Sequence, residues 1–161
     1  MEAEAQPKQA FETGVQEPTA VAPAQEEIEP LVLPPATPTP VQVGTLDPAL
    51  ATSCDKAVKR KHWVKVASVC SKAFDQEPTA KRALSVAQAH HRRGRIAEAG
   101  TWAERVLALE PANPEAFILV AHAAEQTEQK ARAKAAYRQY LALAPHGWRA
   151  TEARHALAAA K

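Results

Sequence analysis

Aromatic residues make up only 5% of the 161-residue chain, cysteine occurs twice and glycine five times. Each shortage excludes a class of function. A helix that crosses a bilayer needs roughly 18 to 20 consecutive apolar residues, and no stretch of the chain approaches that. The N-terminus lacks the basic-then-apolar layout of a secretion signal. Cys54 and Cys70 have no CxxC spacing, which argues against zinc-ribbon and thioredoxin-like chemistry. No P-loop, no Ser-His-Asp series and no pair of buried carboxylates can be assembled, so no catalytic residue and no cofactor are expected.

Proline is abundant but unevenly placed: nine of the thirteen fall at or before Pro48. Residues 1–46 alternate Pro, Ala, Thr, Glu and Val and hold a single aromatic, Phe11. Repeated proline removes backbone donors, and so few apolar side chains cannot offset the entropy of ordering the segment. Residues 1–46 are therefore expected to be a disordered acidic arm or linker, and residues 47–161 the folded domain. The one apolar cluster in the arm, residues 28–33 (Ile-Glu-Pro-Leu-Val-Leu), is read either as spacer or as a docking segment for a groove. Charge divides at the same boundary. Residues 1–50 hold eight acids and one base, net −7, and residues 51–161 hold ten acids and nineteen bases, net +9.

The folded part is rich in Ala, Leu, Val, Arg and Glu, a helical composition. Asp47-Pro48 reads as an N-cap followed by proline at the first helical position. The helix to about residue 59 presents Leu50, Cys54, Ala57 and Val58 on one stripe. A second, over 62–76, buries Trp63, Val66, Ala67, Cys70, Ala73 and Phe74, and Glu77-Pro78 stops it. The next hairpin, over 79–93 and 95–109, turns at Gly94, which supplies the left-handed residue that a helix end favours. Asn113-Pro114-Glu115 restarts the pattern with a cap, a proline and an acid. The helix that begins there turns Phe117, Val120, Ala121 and Ala124 to the core, and another over 131–143 follows. The last, over 148–159, is expected to bury Trp148, Ala153 and Leu157.

One pattern is written twice at a fixed offset. Val86-Ala87, Gly94, Ala99, Val106-Leu107 and Glu110-Pro111 recur 34 residues later as Val120-Ala121, Glu128, Ala133, Tyr140-Leu141 and Ala144-Pro145. That period marks stacked helical hairpins. The residues resemble the tetratricopeptide repeat, with Ala87 and Ala99 at the small helix-crossing positions, Gly94 at the turn glycine and Pro111 at the closing proline. The third repeat departs at Glu128, where glycine is usual, and at Lys130, where an aromatic is usual. The first repeat aligns with an offset of 33, the missing residue falling at the Pro78-Thr79 turn. The resemblance implies an all-α solenoid with repeats at about 47–79, 80–113 and 114–147 and a capping helix at 148–160.

Such repeats are non-enzymatic interaction modules that stack into a right-handed superhelix, and their concave face is lined by the first helix of each hairpin. By family position the partner-binding residues here are Lys81, Leu84, Gln88, His91, Arg92, Ile118 and His122, with Leu84, Ile118 and Leu119 as an apolar floor. A protein or peptide segment is the implied ligand. Members that bind chaperone tails use a clamp of lysines, asparagines and an arginine. The matching positions here are Ala51, Asp55, Ser85, Glu115 and Leu119, which cannot make it.

Lys59, Arg60, Lys61, Arg93 and Arg95 are expected along one edge of the solenoid, either as a solvated face or as a docking surface for an acidic partner. Nucleic acid, in a regulatory role, and anionic lipid are further candidates for that edge, with an acidic protein leading because no base-reading motif or interleaved aromatic accompanies the charge. His91 and His122 are placed as neighbours, but no Cys, Asp or Glu completes a metal set at ligand spacing. Cys54 and Cys70 fall on facing surfaces of one hairpin, either as buried free thiols or as a disulfide in an oxidising compartment. The Ala/Arg-rich text is similar to that of high-GC bacteria. A cytoplasmic protein or the soluble part of a bacterial envelope protein, one end of a larger assembly, fits these features, and self-association through the first helix or the arm is a further reading.

Overall fold

The computed structural model describes residues 45–159, whose regular structure is entirely helical. The expectations for the arm, including the cluster at 28–33, lie outside the described residues. Among the described residues seven helices run in order: α1 (Pro48–Lys59), α2 (Trp63–Gln76), α3 (Ala80–Arg92), α4 (Ile96–Leu109), α5 (Pro114–Gln126), α6 (Lys130–Leu143) and α7 (Ala150–Ala159). Each packs chiefly against its neighbours in sequence, and α3 also touches α5. That nearest-neighbour pattern is a solenoid of three hairpins closed by a single helix.

The two helices of each hairpin begin differently. The first helices are capped by side chains: Asp47 accepts from the Ala49 amide at 2.8 Å, Thr79 from Arg82 at 3.3 Å and Asn113 from Ala116 at 3.1 Å. The second helices have no such cap. They start directly from a tight turn in which the amides of His62, Arg95 and Gln129 reach back to the carbonyls of Ala57, His90 and Ala124 at 3.0, 2.9 and 2.8 Å. The residue before each donor is left-handed: Lys61 at φ 53°, Gly94 at φ 74° and Glu128 at φ 56°. Three hairpins thus make the same helix-ending turn, and only the middle one uses the glycine that suits it.

Between hairpins the connecting segments are 77–79, 110–113 and 144–149. The first is one residue shorter than the second, which locates the contraction of the repeat period. The crossing residues Ala87, Ala99, Ala121 and Ala133 are all buried, as are Val66, Val86, Val106 and Val120. Gly100 of α4 lies against Ala123 of α5 so closely that a Cβ placed on it would overlap the Ala123 Cβ.

Cys54 of α1 and Cys70 of α2 are both buried and are joined in a disulfide, S–S 2.03 Å, with Cα atoms 4.9 Å apart. The antiparallel helices bring the two side chains to the same level, so the free-thiol reading gives way to the bonded one.

Two expectations about burial are corrected. Trp148 does not enter the core: it is 72% exposed, because α7 starts only at Ala150 and leaves the indole in the preceding turn under the Arg149 guanidinium, 4.2 Å from its ring centre. Ile118 and Leu119, expected to face the open groove, are only 2% and 5% exposed and offer it little surface. Six consecutive residues of α5, from Ala116 to Ala121, are buried, more than one full turn of helix. A helix enclosed by α3, α4 and α6 loses the solvent face that an amphipathic reading assigns to it. Leu84 likewise packs against the core.

Candidate functional site

The concave side is built from side chains that the repeat period brings to one level. Gln88 of α3 donates its Nε2 to the Glu115 carboxylate of α5 at 2.6 Å. One turn further, His91 Nε2 and His122 Nδ1 lie 2.9 Å apart with their rings stacked, centroids 5.0 Å apart. His122 Nε2 is 2.6 Å from Glu152 of α7, and Arg149 Nη1 donates to the same carboxylate at 2.6 Å. With His91 donating from Nε2 to His122 Nδ1, and His122 donating from Nε2 to Glu152, every contact has one donor and one acceptor.

This chain of bonds runs across α3, α5 and α7 and ties the capping helix to the groove. Further contacts hold the cap: the Arg149 amide donates to Tyr140 Oη at 3.1 Å, and Arg154 Nη2 donates to the Pro145 carbonyl at 2.6 Å. Burial pushes the Glu152 carboxyl up, but the hydrogen bonds from His122 and Arg149 outweigh it and hold it below the usual carboxylate range. Tyr137 of α6, whose ring meets His122 edge-on, has its phenol raised by burial first and by its hydrogen bond to Glu125 second, so it stays neutral.

His91 is depressed below the ordinary imidazole value by burial first, then by His122, Arg149 and Arg92. His90 is depressed by burial and by Arg95, and its buried Nδ1 has no hydrogen-bond partner among the described residues. The unfolded chain therefore takes up protons below a pH of about 6.5, while the folded chain resists them. Stability is full above that pH and falls as the pH drops through it. The urea midpoint should be lower at a pH of about 5.5 than at about 7.5, and His91→Gln should flatten the slope. An unchanged midpoint across that range would show that neither histidine is held neutral by the fold.

Next to these bonds lies a cavity of about 270 Å³. Ile118 and Leu119 give it an apolar base, and Gln88, His91, Arg92, Glu115 and Arg149 line it with polar groups. Trp63, Tyr140 and the exposed Trp148 complete its walls. Of the residues expected from sequence, the cavity brings together Gln88, His91, Arg92 and Ile118. His122 is bonded to His91 but, like Lys81 and Leu84, is not among the lining residues. Trp148, Arg149 and Glu152 were not read from sequence as site residues. Only their closeness to the closing Pro145 hinted at them, since Trp148 and Arg149 lie in the connection before the cap and Glu152 in the cap's first turn.

The basic residues Lys59, Arg60, Lys61, Arg93 and Arg95 are all exposed in the α1–α2 and α3–α4 turns, and Arg95 pairs with Glu98 through its Nε at 2.7 Å. The third turn carries Glu128, so the cationic edge ends after two hairpins. His91, His122 and Glu152 bring a carboxylate to the two histidines, which sequence spacing had not shown. They are bonded in series, however, and do not converge on a common point. Among the described residues no helix is long and apolar enough to cross a membrane.

No protein-family model matches the sequence, and no curated protein matches it. Solved structures do. The first tetratricopeptide domain of Spaghetti (RPAP3), bound to an HSP90 peptide, superposes with a TM-score of 0.60 at 23% identity, covering 69% of this chain and 90% of that one. The Arabidopsis OM64 tetratricopeptide domain gives 0.60 at 21% identity over 68% and 91%. The first tetratricopeptide domain of human RPAP3 gives 0.57 at 22% identity over 70% and 92%. With a 34-residue period, three hairpins turning at equivalent left-handed residues and these structural likenesses, the chain has the tetratricopeptide-repeat fold.

Proposed function

We propose that this chain is a non-catalytic interaction module that binds a peptide segment of a partner protein along its concave face. The observation that carries this reading is the cavity, where a closed apolar floor meets two indoles and two guanidinium groups on one side of the solenoid. An apolar base with a few convergent polar groups is the usual make-up of a recognition pocket. The likeness to a domain bound to an HSP90 peptide supports a peptide as the class of ligand. Glu115 and Leu119 stand where cationic or amide clamp residues would be needed, and Glu115 is already engaged by Gln88. The ligand is therefore not a chaperone tail held by its carboxylates.

The test is selection of peptides from a displayed library on the full chain, followed by affinity measurements on Arg92→Glu and Trp148→Ala. Both side chains are exposed, so neither change should unfold the domain. A groove ligand should lose about tenfold or more in affinity with Trp148→Ala, as a buried aromatic anchor does. Selected peptides that ignore both changes, or no selection at all, would overturn the reading.

The exposed cations at Lys59, Arg60, Lys61 and Arg93 support a second reading, an acidic partner on the turn edge. Binding there should fall steeply with added salt and survive Trp148→Ala. The buried disulfide supports an oxidising compartment as the place of work, as for a soluble part of a bacterial envelope protein.

A further inference from the structure

The groove has an exposed indole, Trp148, beside an apolar floor, and at its rim the Arg92 guanidinium has no carboxylate partner among the described residues. Arg93, the next residue, is exposed as well. Such a surface suits a segment that carries aliphatic side chains next to carboxylates. The chain contains one. Glu26, Glu27 and Glu29 precede or interrupt the cluster that ends in Leu31, Val32 and Leu33.

Charge favours the encounter, since residues 1–50 carry net −7 and residues 51–161 carry net +9. Reach permits it. Leu33 stands twelve residues before Thr45, where the described structure begins. At about 3.3 Å per residue that chain spans roughly 40 Å, against a radius of gyration of about 13 Å for a domain of this size. Pro30, Pro34 and Pro35 fix their own φ angles, so less conformational freedom is lost on docking than for an ordinary segment.

We propose that residues 26–33 of the chain's own arm occupy the concave cavity, Leu31 and Leu33 against the floor and Trp148, the glutamates toward Arg92 and Arg93. A partner peptide must then displace them. The proposal rests on the reading of this groove as a peptide site and adds its resident occupant. A tethered segment acts at an effective concentration in the millimolar range. Even weak docking, with a dissociation constant near 100 μM, would lower the apparent affinity for an outside peptide about tenfold.

The experiment uses the full chain and its Leu31→Asp/Leu33→Asp variant, whose changes lie outside the helical domain. The probe is a labelled synthetic peptide of residues 24–36. It should bind the variant about tenfold more tightly than the unaltered chain, and the gain should vanish when Trp148→Ala is added to the variant. Amides at 88–92 and 115–119 should exchange more slowly in the unaltered chain than in the variant. Equal probe affinity and equal exchange in the two chains overturn the proposal. If the probe binds neither chain while a library-selected peptide binds both equally, the arm proposal fails and the groove reading stands. If no peptide binds either chain, both fail. Protection that grows with protein concentration, with a heavier species in sedimentation, assigns the site to a second copy's arm and overturns docking within one chain.

Discussion

Reducing the Cys54–Cys70 bond lowers the melting temperature of the domain by roughly 12 °C. The two cysteines are 16 residues apart, and closing a loop of that length removes about 3 kcal/mol of entropy from the unfolded chain. For a domain of about 100 residues each kcal/mol corresponds to at least about 4 °C. The location makes the bond more important than its loop length alone suggests. Helix α1 opens the solenoid and packs on α2, so it lacks the second neighbour that holds α3 or α5. Without the bond α1 should open first, carrying Ala57 and the α1–α2 turn with it. Scanning calorimetry with and without reductant gives the shift, and hydrogen exchange should show the lost protection concentrated in α1. Cys54→Ala/Cys70→Ala should reproduce the loss without leaving buried hydroxyls unpaired. A mass corresponding to two thiols in protein purified without reductant, or an unchanged melting temperature on reduction, would exclude the bond as a structural element.

The period of the hairpins was legible because it is written in residues with one local job each. Asp47, Thr79 and Asn113 cap, Pro48 and Pro114 begin helices, Gly94 turns, and Ala87, Ala99, Ala121 and Ala133 let helices cross. Lys61 and Glu128 hid the other two turns. Left-handed backbone is a demand of the turn, and a side chain that tolerates it leaves no mark in the sequence. The alignment offsets of 33 and 34 point to those positions, and the structure supplies the reason.

The candidate site was half legible. Gln88, His91 and Arg92 follow from their place on a first helix. Trp148, Arg149 and Glu152 do not, because they depend on how α7 docks across a six-residue connection that has no counterpart in the other repeats. Once docked, they supply the exposed indole, a second guanidinium in the lining and the acceptor for His122. Ile118 and Leu119 line the groove, as their place on a first helix implies, but they are far more buried than that place suggests. Helical periodicity gives the faces of an isolated helix, whereas the number of buried faces is set by how many neighbours the stack provides.

Gly100→Val destabilises the domain by about 3 kcal/mol, and Gly100→Ala by about 1 kcal/mol. Helix propensity alone gives the reverse sign for alanine, since glycine inside an exposed helix costs about 1 kcal/mol relative to it. Here propensity is outweighed by contact. Gly100 is buried in α4 against Ala123 of α5, and a new Cβ has no room unless the helices part. The α4–α5 contact is the seam between the second and third hairpins, so parting it would also move α5 against α3 and disturb the Gln88–Glu115 and His91–His122 bonds. Gly100→Ala should therefore weaken groove binding as well as stability, whereas a loss confined to the core would leave binding alone. Removing the opposing methyl should restore the space: Gly100→Ala/Ala123→Gly should be more stable than the sum of its single changes, with a coupling of about 1 kcal/mol in a double-mutant cycle. If Gly100→Ala instead raises the urea midpoint, the two helices do not approach as closely as this, and the registration of the groove between the second and third repeats must be held by other contacts.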